Sequence, residues 1–451
     1  MNIAQELKKE LGADASIIDD PSILLSYERD QAPFAFSATP AAALIARSID
    51  EISRALAFAH RHKIPVVTRG AGSGLAGGAN AISGSIIISL EKLNRIIAID
   101  STNQIARVEA GVINKDVDNA AAQCGLAYLP DPASREWSTI GGNIATNAGG
   151  MCCVKYGVTA HHVRAITVVL ADGEIIELGF STKKAVTTYD LLHLFVGSEG
   201  TLGIIVEATL SLVPRPKQPV TLIATFPDIS SAARCAIEIL AVRPSMLELL
   251  DRTTLHAVET WKPMGFADAE ALLIMQSDES VDACKTAQHI AQKYGALDAV
   301  YSDDPRDSDD LIQVRKLAYP ALERLGNALL DDVVVPISRI ADLVTGIQQI
   351  AKEAKLTIGI FGHAGDGNIH PTIIYPHNDK AAEKVAIEAF NKIIALAQSM
   401  GGTASGEHGI GALKVRSAQH ETSSVVLRIQ RELKNLLDPH GILNPGKKIP
   451  T

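Results

Sequence analysis

Apolar positions recur in two spacings along the first half of the chain. Ile49, Ile52, Leu56 and Ala59 share one face of a 3.6-residue period, which predicts an amphipathic helix. Ser48-Ile-Asp-Glu51 in front of them reads as a capping box, with hydroxyl and carboxylate each satisfying an orphan amide. IPVVTRG (64–70), SGSIIISL (83–90), QIARVEAGV (104–112) and TLGIIVEATLSLVP (201–214) are β-branched runs bounded by turn residues. They predict strands. Asp172-Gly173 lies between VRAITVVLA and EIIELG. It predicts a hairpin with a type I′ turn, because Asp-Gly tolerates positive φ. The first half therefore reads as mixed α/β.

The pattern changes after PRPKQP (214–219), where three prolines remove amide donors and stop regular structure. Strands TLIATF, SMLELL and LLIMQS then alternate with longer helices, one capped at Asp228 and one near 280–294. Residues 307–326 read as a helix, LLDDVVVP (329–336) as a strand and 337–355 as a helix. This alternation predicts an α+β domain with helices packed on one sheet face. The end of the chain carries a further glycine cluster and a helix over 421–437, expected to return to the first domain.

Composition narrows the class. A chain of 451 residues exceeds one ordinary core, so two or three domains are expected. The net charge of −9, without a long basic run, argues against nucleic acid. No window of about 20 apolar residues suggests a membrane span, and the first residues lack a secretory apolar core. The five cysteines (124, 152, 153, 235 and 284) form neither a CxxC nor an even framework. That suits a reducing cytoplasm and offers no iron–sulfur motif.

Glycine is average in total, yet 10 of the 34 fall within 70–84 and 141–150. Arg69-Gly-Ala-Gly-Ser-Gly-Leu-Ala-Gly-Gly78 follows a predicted strand directly. Such a turn can aim successive amides at an anion, or it can be a plain surface turn. It is neither a dinucleotide fingerprint leading into a helix nor a Walker A loop. The 130–150 segment is an uncharged polar loop in its second half, able to line a ligand or simply to connect. Val196-Gly-Ser-Glu-Gly-Thr-Leu-Gly203 is the third cluster.

Two C-terminal stretches carry candidate chemistry. Gly362-His-Ala-Gly-Asp-Gly-Asn-Ile-His370 places two histidines seven apart around glycines, and Ser405-Gly-Glu-His-Gly-Ile-Gly411 adds a carboxylate and an imidazole. These are good zinc or manganese ligands, but the spacing is not a standard zinc signature, and satisfied histidines are common. Arg315, in a predicted helix, can grip a carboxylate bidentately or belong to a solvated face with Asp309, Asp310 and Lys316.

PVVTRGAGSGLAGGA, STIGGNIATNAGG and VGSEGTLGIIVEATL, in this order, resemble the FAD-binding domain of the vanillyl-alcohol-oxidase/PCMH flavoprotein superfamily over about residues 37–216. The rest resembles the FAD-linked oxidase C-terminal domain. The resemblance implies a PCMH-type FAD domain of two α/β subdomains (1–216) and an α+β cap domain with an antiparallel sheet (217–405). A segment over 406–451 would complete the active site and pack on the FAD domain. It implies that Arg69, Gly70, Ala71, Gly72, Ser73, Gly74, Leu75 and Gly77 cradle the FAD pyrophosphate. Pro130, Ser134, Thr139, Gly141, Gly142, Asn143, Thr146, Gly149, Gly150, Tyr156 and Gly157, with Gly200, Gly203 and Ile205, would line the rest of FAD. Asn444, in the closing Asn-Pro-Gly-Lys, would come near the flavin. No histidine stands beside the first loop, so non-covalent FAD is implied.

GHAGDGNIH and GEHGIG are similar to motifs of the metal-dependent D-2-hydroxyacid dehydrogenases in this superfamily. That similarity implies His363, His370 and Glu407 as ligands of zinc or manganese and His408 as general base. Asp366 and Asn368 would stand behind the ligands or in the turn, while Arg315 and Tyr319 would bind substrate. Relatives acting on 2-hydroxyglutarate carry a lysine near LLDDVVVP, where Asp331 and Asp332 stand here, which favours smaller acids. The implied reaction oxidises a D-2-hydroxy acid such as D-lactate or glycolate to the 2-oxo acid, with hydride passing to flavin N5. The alternative is the FAD subunit of a multi-subunit electron-transfer complex, with a structural or relay role. Either version needs a separate acceptor: a quinone, a cytochrome, an iron–sulfur subunit or an electron-transfer flavoprotein. A homodimer follows by family analogy alone. The expected location is cytoplasmic, or at the membrane periphery through a partner.

Overall fold

A computed structural model describes residues 2–32 and 34–450. The chain forms two compact units, one of residues 1–150, 158–215 and 407–451, the other of residues 151–157 and 216–406.

The first unit holds two sheets. In the smaller, strands Ala42–Ile45, Ile86–Ser89 and Val66–Arg69 pair in parallel, with Ile17–Ile18 antiparallel at one edge. Helix Ile49–His62 makes the crossover, and its Ile52, Leu56 and Ala59 pack with Leu44, Ile86 and Ile88 in one core. Ser48 caps this helix by accepting from Glu51 N at 3.2 Å. The expected reciprocal bond is displaced by one residue, since the Glu51 carboxylate accepts from Arg47 N at 2.7 Å. The second sheet is antiparallel, ordered Ile96–Asp100, Ile105–Glu109, Ile204–Ser211, Val163–Val169, Ile175–Gly179. The hairpin at Asp172-Gly173 forms, but not with a two-residue I′ turn. Val169 pairs with Ile175, and only Gly173 of the two has positive φ (+93°).

The second unit is built on one eight-stranded sheet whose pairings are all antiparallel. Helices cover both of its faces, not one as expected. Leu272 and Ile274 of strand Ala271–Ser277 pack with residues of helices Arg252–Trp261 and Pro305–Glu323. Met275 points the other way and meets Cys284 of helix Val281–Lys293. Strands buried on both faces carry apolar residues in succession, so alternation does not reveal their second face. LLDDVVVP is likewise two short strands, Asn327–Leu330 and Val333–Val334, interrupted at Asp331-Asp332. Among the described residues no helix is long and apolar enough to cross a membrane.

The closing segment belongs to the first unit. Helix Ser424–Leu437 ends at Asp438, whose fully buried carboxylate accepts from Ile442 N (3.0 Å), Leu443 N (2.8 Å) and Lys434 Nζ (2.5 Å). This holds residues 442–444 beside Val66, with Val66 N donating to Ile442 O and Asn444 N to Val66 O, while Asn444 itself turns into the left-handed region (φ +42°). Asp438→Ala leaves two buried amides without an acceptor and the part-buried Lys434 ammonium with only the carbonyls of Thr201 and Leu443, so a loss of about 3–5 kcal/mol in unfolding free energy is expected. Urea denaturation of the two proteins measures it.

Candidate active site

The first glycine loop leaves strand Val66–Arg69 at its C-terminal end. Its carbonyls are held from behind. Lys447 Nζ donates to Gly78 O (2.9 Å) and Asn80 O (2.6 Å), and Gln31 N donates to Gly74 O (2.9 Å). Asp30 accepts from Ala79 N, while its own amide donates to Asn80 Oδ1 at 2.8 Å. Among the described residues, no acceptor takes the amides of Gly70 to Gly78. A turn with pinned carbonyls and unspent amides suits an anion such as a pyrophosphate. Gly77 is required here: φ is +79° and a Cβ would stand 2.4 Å from Ala35 Cβ. A cleft of about 490 Å³ opens at the loop, lined by Tyr27, Arg69, Gly70, Ala71, Gly111 and Thr139 among others.

The second cluster is not a loop throughout. Residues Ile140–Thr146 form a helix, with Thr139 as N-cap accepting from Gly142 N at 3.2 Å. Ile140 and Ile144, one turn apart, are buried in the core of the antiparallel sheet. That packing overrides the poor helix propensity of Gly141-Gly142. Gly141 lies close to the chain, as a Cβ would meet Ala110 Cβ at 2.7 Å. Gly197 N and Glu199 N bond to Ile144 O and Ala145 O, seating the third cluster on the helix end. Gly203 packs at Val168, and Ile205 is buried in strand Ile204–Ser211.

Asn444 staples these loops. Its amide donates to Glu199 O (2.6 Å) and Gly78 O (3.3 Å), and its Oδ1 accepts from Lys447. The Glu199 carboxylate accepts from Ile410 N (2.9 Å) and Gly411 N (2.6 Å), anchoring the GEHGIG stretch. Tyr156 and Gly157 belong to the second unit, where the Tyr156 hydroxyl bonds Asp278.

In the second unit, sheet register explains the histidine spacing. Strands Thr357–His363 and Asn368–Tyr375 form a hairpin in which Phe361 faces His370 and His363 faces Asn368. The turn needs Gly367, whose φ is +87° and whose Cβ would lie 2.1 Å from Val335 O. The two imidazoles then meet, with Nε2 to Nε2 at 3.2 Å. His363 is 4% exposed and His370 3%.

Strand Met246–Asp251 adds Glu248, directly across from His363. Its side chain is wholly buried, with Oε1 2.7 Å from His363 Nδ1 and Oε2 2.5 Å from Arg315 Nε. Burial pushes this carboxyl up, but His363 and Arg315 outweigh it and hold it below the usual carboxylate range. Arg315 also lies 4.7 Å over the Phe361 ring, and Phe361 is 5.7 Å from the His370 ring. Behind His370, Asp332 Oδ1 is 3.9 Å from Nδ1. Asp332 is held by Asn368 Nδ2 (2.6 Å), Ser405 Oγ (2.7 Å) and Gly406 N (3.0 Å). Tyr319, one turn beyond Arg315, turns its hydroxyl to Glu323 (3.3 Å), and burial pushes it up to about 12. Glu407 and His408 follow Gly406 in the chain and belong to the first unit, with His408 Nε2 3.7 Å from Glu407 Oε1.

Glu248 and Phe361 were not anticipated. The signal for Glu248 was present, as one charge inside the apolar run SMLELL. Nothing in the sequence singles out Phe361.

Comparison with known proteins decides the family. Residues 215–448 match the model of FAD linked oxidases, C-terminal domain, and residues 40–179 match an FAD binding domain. The chain belongs to the FAD-linked oxidases. This FAD-linked oxidase is 38% identical to glycolate oxidase subunit GlcD of Bacillus subtilis, over 99% of this chain and 97% of that protein. It is 35% identical to D-lactate dehydrogenase of Anaerostipes hadrus, over 97% and 95% of the two chains. The crystal structure of p-cresol methylhydroxylase with substrate bound superposes with a TM-score of 0.82 at 17% identity, covering 99% and 96% of the chains. That likeness shows the PCMH-type fold. The protein is therefore an FAD-linked oxidoreductase.

One consequence concerns pH. Burial pulls the Lys447 ammonium down from 10.5 to about 7, against the opposing pull of Asp30 and Glu199. The folded chain thus sheds this proton before the unfolded chain does. Its contribution to stability is full above 10.5 and is lost as pH falls to about 7. Stability should rise with pH across that window, and the rise should be smaller in Lys447→Met when urea midpoints are compared.

Proposed function

We propose that this FAD-linked oxidase oxidises a small D-2-hydroxy acid, such as D-lactate or glycolate, to the 2-oxo acid. The observation that carries the reading is the buried chain His363–Glu248–Arg315. Glu248 fixes Arg315 through Nε, and among the described residues no acceptor takes its terminal nitrogens. A guanidinium so placed suits a substrate carboxylate. The names of the two relatives point to the same substrate class.

His363 donates Nδ1–H to Glu248, which leaves Nε2 with its lone pair facing His370 Nε2. Two imidazole nitrogens converging in this way, each backed by a buried carboxylate, fit a divalent metal such as zinc or manganese. Glu407, next in the chain after the Asp332-bound Gly406, is the third ligand in this reading. When bound, the metal supplies Lewis acidity toward the substrate oxygens, and non-covalent FAD accepts the two electrons. Arg315 orients the carboxylate, with Tyr319 beside it on the helix. His408 takes the proton of the substrate hydroxyl. With the carboxylate of Asp332 beside His370, and Asp331 next to it in the chain, a second carboxylate on the substrate is disfavoured.

The name "subunit" on one relative supports a second reading, in which the chain passes electrons to a separate partner. That changes the acceptor and leaves the substrate step intact.

Anaerobic mixing with a panel of D- and L-2-hydroxy acids, followed by flavin absorbance, tests the substrate class. Bleaching by D-lactate or glycolate is expected, and bleaching by no acid in the panel contradicts the reading. His408→Ala should slow flavin reduction by about 100-fold or more at unchanged flavin content. An unaltered rate removes His408 as base.

A further inference from the structure

We propose that Glu248 is a shared positioning residue, through which the arginine that grips the acid and the histidine that ligates the metal are set by one carboxylate. The inference rests on the roles given above to Arg315 and His363. Each oxygen has its own partner: Oε1 takes His363 Nδ1 at 2.7 Å, and Oε2 takes Arg315 Nε at 2.5 Å. The two partners come from different elements, a neighbouring strand and helix Pro305–Glu323. The carboxylate cannot turn fully to one of them without dropping the other. Its side chain has no exposed surface, so bulk water cannot replace either bond.

Each bond has a distinct consequence. The bond to Nδ1 selects the tautomer of His363 that presents a bare Nε2. The bond to Nε fixes the guanidinium through one nitrogen and leaves the two terminal nitrogens for a substrate carboxylate. Phe361 closes the arrangement, its ring centroid 4.7 Å from the Arg315 guanidinium carbon and 5.7 Å from the His370 ring. A substitution at Glu248 therefore releases a cation-binding and an anion-binding group together.

The test uses the full-length, FAD-loaded protein and two binding measurements that need no turnover. Zinc affinity is read by chelator competition. Oxalate affinity is read by calorimetry on chelator-treated, metal-free protein. Glu248→Gln should weaken both, each by about 10- to 100-fold. Arg315→Lys should weaken oxalate alone, and His363→Gln zinc alone. If Glu248→Gln weakens only one ligand, or neither, the shared role is overturned. If Glu248→Gln does not retain flavin, Glu248→Asp replaces it. That variant keeps the charge but is one methylene short of both partners, and it must show the same paired loss in smaller measure. Wild-type protein with no zinc affinity overturns the metal reading itself, and the unsubstituted chain distinguishes that failure from failure of the Glu248 role.

Discussion

A carboxylate removed from water costs several kcal/mol unless its partners are well placed. Glu248 bears that cost inside a strand whose six residues are all buried, and the placement of its neighbours follows from it. Arg315 and His363 must both face it. That requirement fixes the rotation of helix Pro305–Glu323 and the register of strand Thr357–His363 against strand Met246–Asp251. His370 then falls beside His363 through the hairpin, and Phe361 fills the space beneath the guanidinium. A hydrophobic residue at 248 would be cheaper for the fold. In the proposed function, the charge holds the substrate-binding arginine and the metal-binding histidine in fixed orientations.

The first unit solves the opposite problem. In the reading proposed above, its net-negative chain receives an anionic cofactor mainly with backbone. Lys447, Asp30 and Asn444 bond the outer side of the glycine loop, which leaves the amides on the inner side. Asn444 and Lys447, which shape the loop, lie at the other end of the sequence, whereas Asp30 precedes the loop.

Much of this was legible before the structure. Glycine clusters marked the tight loops proposed to hold the cofactor, because close approach and positive φ leave little alternative at positions such as Gly77. His363, His370 and Arg315 were visible as residue types, and the hairpin register explains a seven-residue spacing that matches no standard signature. What escaped were features decided by tertiary packing. Helix Ile140–Thr146 was hidden by Gly141-Gly142, whose weak propensity is offset by the burial of two isoleucines. The second helical layer of the large sheet was hidden because its strands are apolar on both faces. Glu248 could have been suspected from its isolation in SMLELL, but its two partners lie 67 and 115 residues away.

The pairing of residues 442–444 with Val66 also bears on the order in which the protein is made. Leu443 leaves the ribosome 377 residues after Val66. At roughly 5–20 residues per second, that is about 20–75 s. Residues 216–406 are complete before then, whereas strand Val66–Arg69 still lacks its bridge to Leu443. During synthesis the outer edge of Val66–Arg69 is therefore an open strand, available for wrong pairing until the chain's own end arrives to cover it.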